Sequence, residues 1–227
     1  MSSTHPDDQQ PYDRLASAAQ AEAVGALLRE RSRVLDLGCG VGRVASQLGN
    51  DVALVGVDRD EAVLAQYAEQ TGGATVCLDV VTSMRDLPDG PFDAVLLLGN
   101  TLMEVTEPFD ACQLFRGVAE RLSEGGWFVI DDFPVDLWRD VSEGLWCNGI
   151  DESGSVQMVW AEGDPVFTLR YGDEIDPDST DISPSERKFR LYSVGELRLF
   201  CALSGLAPPI HDPAGHVMTM ERVLRCE

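Results

Sequence analysis

Residues 34–42, VLDLGCGVG, carry the clearest chemical signal, because a short apolar run leads into three glycines at alternate positions. The apolar run predicts a buried strand, and the glycines predict a turn that lets the backbone approach a ligand closely before a helix begins. Asp36, just before the glycines, suits a ligand with a cationic amino-acid end. The dinucleotide fingerprint Gly-x-Gly-x-x-Gly would need a glycine where Arg43 stands, so a nicotinamide-dependent oxidoreductase is disfavoured and kept as an alternative.

Two further acidic residues follow later apolar runs. Asp58 ends the run 52–57, and Asp79 follows the run 74–78. A carboxylate at the end of a second strand can accept hydrogen bonds from both hydroxyls of a ribose. A carboxylate after the third strand can accept one from the amino group of an adenine. The spacing therefore indicates a site for an adenosine-containing ligand.

The elements that must hold these residues alternate along the first half of the chain. Apolar runs are separated by amphipathic segments, a pattern typical of parallel strands covered by helices on both faces. The predicted strands are 34–37, 52–57, 74–78, 92–98 and 127–130, followed near the end of the chain by 207–210 and 217–224. The predicted helices are 15–31, one that follows the glycines, 60–70 before Gly72, 108–123 before Gly125, and 193–202 with a capping box at Ser193 and Glu196.

Together these features resemble the class I S-adenosylmethionine-dependent methyltransferases, over about residues 15–130 and 193–224. Residues 34–42 match the first motif of that superfamily, and 92–100 match the strand whose end faces the methyl group. The resemblance implies an α/β fold with a Rossmann-like, seven-stranded, mostly parallel sheet, helices on both faces and a reversed last strand. It also implies S-adenosylmethionine as cofactor and S-adenosylhomocysteine as product. The residues expected to bind the cofactor are Asp36, Gly38, Cys39, Gly40, Gly42, Asp58, Arg59, Asp79, Val80, Leu98 and Gly99.

Residues 131–186 differ from the rest in charge and in pattern. They hold fifteen Asp and Glu but only two basic residues, so they carry −13 of the net charge of −22. The runs 156–161 and 166–171 flank a turn, 188–192 is a third extended piece, and 135–143 is predicted to be a short helix. We therefore expect an antiparallel β lid inserted after the fifth strand. The predicted organisation is a cofactor domain of residues 1–130 and 187–227, with 131–186 as the acidic insert.

The end of the 92–98 strand is where residues for the methyl acceptor are expected. Transfer from a sulfonium is an in-line displacement, so the protein has to position the acceptor and remove a proton. The run 99–101 is similar to that of glycine and sarcosine N-methyltransferases, and the insert is similar to their lids and to those of amino-sugar N-methyltransferases. The catalytic candidates are Asn100, His211 and His216, and the substrate candidates are Tyr12, Met103, Trp138, Arg170 and Tyr171.

Several of these candidates also have a purely structural interpretation. Tyr12 can be an ordered tail contact, Trp138 can anchor its helix, and Arg170 can pair with a neighbouring Asp. Each histidine can be a surface residue.

A metal is a minority interpretation. Asp131 and Asp132 follow the fifth strand, where catechol-type O-methyltransferases, which resemble this fold, place acidic metal ligands. Asn100 would be a weak third ligand, so no metal is expected.

Composition limits the function further. The chain has 17 Lys and Arg against 39 Asp and Glu, and such an acidic surface repels nucleic acids. No apolar run approaches the ~20 residues of a membrane span, and residues 1–11 are polar, so a cytoplasmic protein is expected. The six cysteines lie far apart along the sequence, so free thiols are expected.

The favoured function is methylation of a small molecule, preferably an amine, because the acidic insert would attract an ammonium group. An O-methyltransferase and a catalytically silent, cofactor-binding partner subunit remain as alternatives. The insert can act as a lid, as a homodimer contact, or as both.

Overall fold

A computed structural model of the protein describes residues 14–131, 149–151, 153–179, 181–214 and 216–223. Its main sheet has seven strands in the order β3-β2-β1-β4-β5-β10-β9. The first five strands are parallel, and β10 runs antiparallel between β5 and β9. The strands are β1 Arg33–Leu37, β2 Ala53–Asp58, β3 Ala74–Cys77, β4 Phe92–Leu97, β5 Leu122–Asp131, β9 Ile210–His211 and β10 Val217–Glu221. The predicted mostly parallel sheet with a reversed last strand is confirmed.

Helices cover both faces of this sheet, as the alternation of buried residues along the strands requires. They are α1 Arg14–Gly25, α2 Glu61–Thr71, α3 Pro108–Arg121 and α4 Val194–Ser204. One apolar cluster joins α1 and α2 to Ala94 and Leu96 of β4, and another joins α3 and α4 to Val95 and Leu97. Consecutive residues of β4 therefore face opposite layers, which is the geometry of a strand buried on both sides.

The insert contains a second, antiparallel sheet of three strands. They are β6 Val156–Trp160, β7 Val166–Tyr171 and β8 Phe189–Arg190, with β7 in the centre. The predicted antiparallel layer is thus present, although β8 lies beyond the boundary predicted at residue 186. The helix predicted at 135–143 lies outside the described residues.

Local chemistry explains several helix ends. The Asp60 side chain accepts a hydrogen bond from the Ala62 amide at 2.8 Å and begins α2, and Gly72 ends it in the left-handed conformation. The capping box at Ser193 is formed as predicted, because the Ser193 hydroxyl and the Glu196 carboxylate each accept from the other residue's amide.

Several predicted boundaries are wrong. The strand predicted at 207–210 is the two-residue β9, Ile210–His211. The helix expected after Gly42 is only a short 3₁₀ turn, Ala45–Gln47. Helix α1 ends at Gly25 rather than at residue 31. Helix α3 ends at Arg121, and β5 begins at once instead of at Trp127, because Leu122 pairs with Phe92 of β4. Gly125 and Gly126 therefore lie within an irregular strand, where they produce a shift in the β4–β5 register.

The layer between the sheet and α3 should supply a large part of the stability. Phe115 of α3 is fully buried, with its ring 5.1 Å from that of Phe128 in an edge-to-face arrangement. We expect Phe115→Ala to lower the free energy of unfolding in urea by about 3–5 kcal/mol, through lost contacts and the cavity left behind.

Phe109 on the same helix is the matched control, since 70% of its surface is exposed. Phe109→Ala should change the free energy of unfolding by less than about 0.5 kcal/mol. Equal losses for the two variants would contradict the assignment of Phe115 to the core.

Candidate functional site

The glycine-rich turn follows β1 at the carboxyl edge of the sheet and is shaped by glycine in two different ways. Gly38 has a φ of +64°, and a Cβ there would lie 2.6 Å from Thr101 Cγ2, so the turn packs directly on the segment after β4. Gly40 also has a positive φ, but a Cβ there would meet no atom within 4 Å. The Gly40 backbone therefore borders open space, as a cradle for a ligand requires. Cys39 is buried, and its thiol donates to the Gly40 carbonyl at 3.5 Å.

Asp58 links this turn to the end of β2. Its carboxylate accepts the Gly40 amide at 3.0 Å and the Asp60 amide at 3.1 Å, one on each oxygen. Each oxygen can accept a second hydrogen bond, so the two hydroxyls of a ribose can still be bound. Arg59 is exposed next to it.

Asp36 is a buried acid below the glycine turn. Its burial raises the pKa of the carboxyl to about 7, Arg43 opposes that shift, and Asp58 adds to it. A cationic group bound near Asp36 would favour its ionised form, so a ligand with an ammonium end fits this position better than a phosphate.

Asp79 follows β3 and is partly buried. Its Oδ1 accepts the amides of Val81 at 2.9 Å and Thr82 at 3.3 Å, so this carboxylate organises its own turn. Val80 is buried in the core layer that contains α3. These contacts hold the turn at the edge of the sheet where an adenine was predicted.

Leu98, Gly99 and Asn100 form the loop after β4. Asp131 holds this loop, although the sequence had suggested only a metal-binding role for Asp131. Gly99 and Asn100 both have left-handed backbone conformations, with φ of +75° and +61°. The Asn100 amide donates to Asp131 Oδ2 at 2.6 Å, and the Gln20 side chain of α1 donates to Asp131 Oδ1 at 2.7 Å. Burial raises the pKa of Asp131 above its ordinary value, and these hydrogen bonds oppose the shift.

The two candidate histidines lie at different distances from this loop. His216 directly precedes β10, and its carbonyl accepts a hydrogen bond from the Gln20 amide at 3.4 Å, so it adjoins the Gln20–Asp131 pair. His211 ends β9, the outermost strand, which β10 separates from β5. The structure therefore places the backbone of His216, rather than the outer strand that ends in His211, beside the Gln20–Asp131 pair.

The substrate candidates differ in where the structure places them. Met103 is buried against the sheet of the insert, in a cluster with Met158, Phe167 and Leu191. Tyr171 ends β7 and is partly buried, whereas Tyr12 and Trp138 lie outside the described residues.

Arg170 supports the fold of the insert. Its guanidinium makes two hydrogen bonds to the Glu186 carboxylate, at 2.6 and 3.2 Å, and a third to the Asp181 carbonyl at 2.7 Å. These contacts favour a structural role for Arg170 over the binding of a substrate carboxylate. The predicted pairing with an Asp side chain is wrong, since the carboxylate partner is Glu186.

Sequence reasoning also missed Glu104. Its carboxylate lies 2.6 Å from Arg187 of the insert and 3.4 Å from Arg59 at the end of β2. Neither this pair of contacts nor the role of Gln20 has a local sequence signal, because the partners are far apart along the chain.

Across the residues that the structure describes, no three His, Cys, Asp or Glu side chains are grouped so that they could hold a metal ion. Every helix described is too short or too polar to traverse a bilayer.

Part of the chain matches a known protein family. Residues 34–126 match the family described as Methyltransferase domain. YqeM, a proposed methyltransferase of Bacillus subtilis, is 28% identical over 127 residues, which are 53% of this chain and 51% of YqeM. The chain spans about half the length of the curated relatives it matches.

Solved structures share the fold over nearly the whole chain. The sugar N-methyltransferase KedS8 of a Streptoalloteichus species has a TM-score of 0.62 and 21% identity, covering 96% of this chain and 91% of that one. CalS10, an amino pentose methyltransferase of Micromonospora echinaspora solved with bound S-adenosylmethionine, has a TM-score of 0.63 and 16% identity, covering 96% and 94%.

These matches confirm the resemblance inferred from the sequence. The chain has the fold of the class I S-adenosylmethionine-dependent methyltransferases, and residues 34–126 match a methyltransferase domain, which supports S-adenosylmethionine as the cofactor. The residues present fit it, since Gly40 and Gly99 border open space and Asp36 and Asp58 supply acids at the carboxyl edge of the sheet.

Asp58 should contribute strongly to cofactor affinity. Asp58→Asn removes a charged acceptor for two hydroxyls, and we expect the Kd of S-adenosylhomocysteine, measured by calorimetry, to rise about ten- to a hundredfold. Asp93 is the matched control: it also accepts a backbone amide, that of Arg33 at 2.8 Å, but near the start of β4, away from the carboxyl edge. Asp93→Asn should leave the Kd unchanged, and an equal effect of both variants would refute the assignment.

The pKa of about 7 at Asp36 predicts a pH-dependent affinity. Below pH 7 the carboxyl is protonated and no longer attracts the ammonium group of S-adenosylhomocysteine. The Kd of the wild type should therefore rise as the pH falls from 8 to 6, while that of Asp36→Asn should vary much less.

The stability contributed by Asp36 to the cofactor-free protein should instead fall as the pH rises. Between pH of about 4 and 7, the folded protein keeps a proton on Asp36 that the unfolded chain has released, so this group stabilises less as the pH rises. The melting temperature of Asp36→Asn minus that of the wild type should increase from pH 5 to 7.5. A constant difference would contradict the raised pKa.

Proposed function

We propose that the protein transfers the methyl group of S-adenosylmethionine to an amine nitrogen of a small molecule. The observation that carries the proposal is the packing of the insert on Met103, three residues after Asn100. The acidic insert thereby borders the loop that follows β4, where the methyl acceptor is expected. The insert as a whole is acidic, and carboxylates near an acceptor favour an ammonium group over an anion.

The charge of the insert supports this preference. Residues 131–186 contain fifteen acidic residues and only two basic ones, Arg139 and Arg170. Since the Arg170 guanidinium is bonded to Glu186 and to loop carbonyls, it does not offset the acidity towards a substrate. KedS8 and CalS10, whose names describe a sugar N-methyltransferase and an amino pentose methyltransferase, add support by similarity of fold.

The bound cofactor supplies an electrophilic methyl group on a sulfonium, and the protein has to align the acceptor and remove a proton from it. We assign the alignment to the loop of Gly99 and Asn100, whose position is maintained by Asp131. The acceptor nitrogen must lose a proton before it can donate its lone pair. His216, beside the Gln20–Asp131 pair, is the proposed proton acceptor.

Further assignments belong to the same proposal. Asp36, Gly38, Cys39, Gly40, Gly42, Asp58, Arg59, Asp79, Val80, Leu98 and Gly99 would bind the cofactor, and Met103 and Tyr171 would border the acceptor. The net charge of −22 argues against nucleic acid as a partner, and a cytoplasmic location and a homodimer remain predictions.

A panel of acceptors tests the proposal. Purified protein with S-adenosylmethionine should release S-adenosylhomocysteine when supplied with amines, including amino sugars, and much less with the matching hydroxyl compounds. Preferred turnover of the hydroxyl compounds would favour an O-methyltransferase. Cofactor binding with no turnover and a stable complex with another protein would favour the silent subunit, and binding of NADH would favour an oxidoreductase.

With an active amine, His216→Ala should lower kcat by about a hundredfold, with the Kd of S-adenosylhomocysteine unchanged. His211→Ala, assayed in parallel, should have the smaller effect because His211 lies two strands from β5. A larger loss in His211→Ala would reverse the assignment of the proton acceptor.

A further inference from the structure

Residues 98–106, here called the linking segment, connect the cofactor site to the insert. At one end, Thr101 packs directly on Gly38 of the glycine turn. At the other end, the Tyr192 hydroxyl donates to the Val105 carbonyl, and Arg190 of β8 donates to the Thr106 carbonyl at 3.3 Å. The segment therefore touches the cofactor turn and the strand that ends the insert within a few residues.

Glu104 lies in the middle of this segment and pairs with two arginines from different parts of the fold. Arg187 leads into β8 of the insert, and its Nη2 donates to Glu104 Oε1 at 2.6 Å. Arg59 directly follows Asp58, and its Nη2 donates to the other carboxylate oxygen at 3.4 Å. One carboxylate thus bridges the insert and the end of β2.

The exposure of the three side chains limits what this bridge can do. Glu104 is 23% exposed, Arg187 39% and Arg59 63%, so the bridge is screened by solvent and adds little to global stability. Its effect is on position instead. Pairing with Glu104 restrains Arg59 beside Asp58. Because Arg187 of the insert binds the same carboxylate, that restraint depends on how the insert is seated.

We infer that Glu104 is a positioning residue that couples the seating of the insert to cofactor affinity, through Arg187 on one side and Arg59 on the other. Met103, the preceding residue, supports the coupling because it is buried in the apolar cluster of the insert. The inference rests on the proposed function, since it takes Arg59 as part of the cofactor site.

Affinity for S-adenosylhomocysteine is the first test. Glu104→Gln keeps the size of the side chain but removes its charge, and we expect the Kd, measured by calorimetry at low salt, to rise about three- to tenfold. Arg187→Gln should act in the same direction. Both variants break the same bridge. The double variant should therefore bind S-adenosylhomocysteine no more weakly than Glu104→Gln alone. High salt should reduce the difference between the wild type and the variants.

Asp164→Asn is the matched control. Asp164 forms an ion pair of 2.7 Å with Arg190 in the same insert, but it does not contact Glu104 or Arg59. It should leave the Kd unchanged. An unchanged Kd in Glu104→Gln, or an equal rise in Asp164→Asn, overturns the inference. Glu104→Asp, which keeps the charge on a shorter side chain, should recover part of the affinity.

Amide hydrogen exchange of the cofactor-free protein is the second test. The Leu191 amide donates to the Pro165 carbonyl at 3.0 Å, and it should exchange faster in Glu104→Gln than in the wild type. Unchanged exchange there also overturns the inference. If the wild type fails to bind S-adenosylhomocysteine, the proposed function falls with the coupling to cofactor. The exchange result then still decides whether Glu104 seats the insert.

Discussion

Asp131 is partly buried at the end of β5, and a carboxylate withdrawn from water is tolerable only when other groups bond to it. Its partners come from two distant elements, the Gln20 side chain of α1 and the Asn100 amide after β4. Asn100 adopts a left-handed backbone that few non-glycine residues favour, and this hydrogen bond holds it there. The arrangement of α1, the β4 loop and the start of β10 around the site depends on this one acid.

The site is built from short loops that fix one another. Asp58 accepts the Gly40 amide, Gly38 packs on Thr101, and Asn100 donates to Asp131, so the loops after β1 and β4 and the last residues of β2 and β5 are joined in a chain of contacts. Such a site is organised before a ligand arrives, which lowers the entropy lost on binding.

The acidity of the insert acquires a more specific meaning from the structure. Arg170 is used internally with Glu186, while Arg187 and Arg190 contact the linking segment of the main domain. The cations at this end of the insert thus hold it together and attach it. Arg170, the described basic residue of 131–186, therefore does not offset the acidity of that segment.

The sequence by itself determined the sheet, the glycine turn and the acids at the strand ends, because the alternation of buried residues and the positions of glycines are local signals. It failed at the helix after Gly42 and at the start of β5, where Leu122 pairs with a residue thirty positions earlier. The Gln20–Asp131 bond spans 111 residues, and the Glu104–Arg187 pair spans 83. Only the tertiary structure decided these contacts, because the packing of distant elements, and not any local pattern, brings their atoms together.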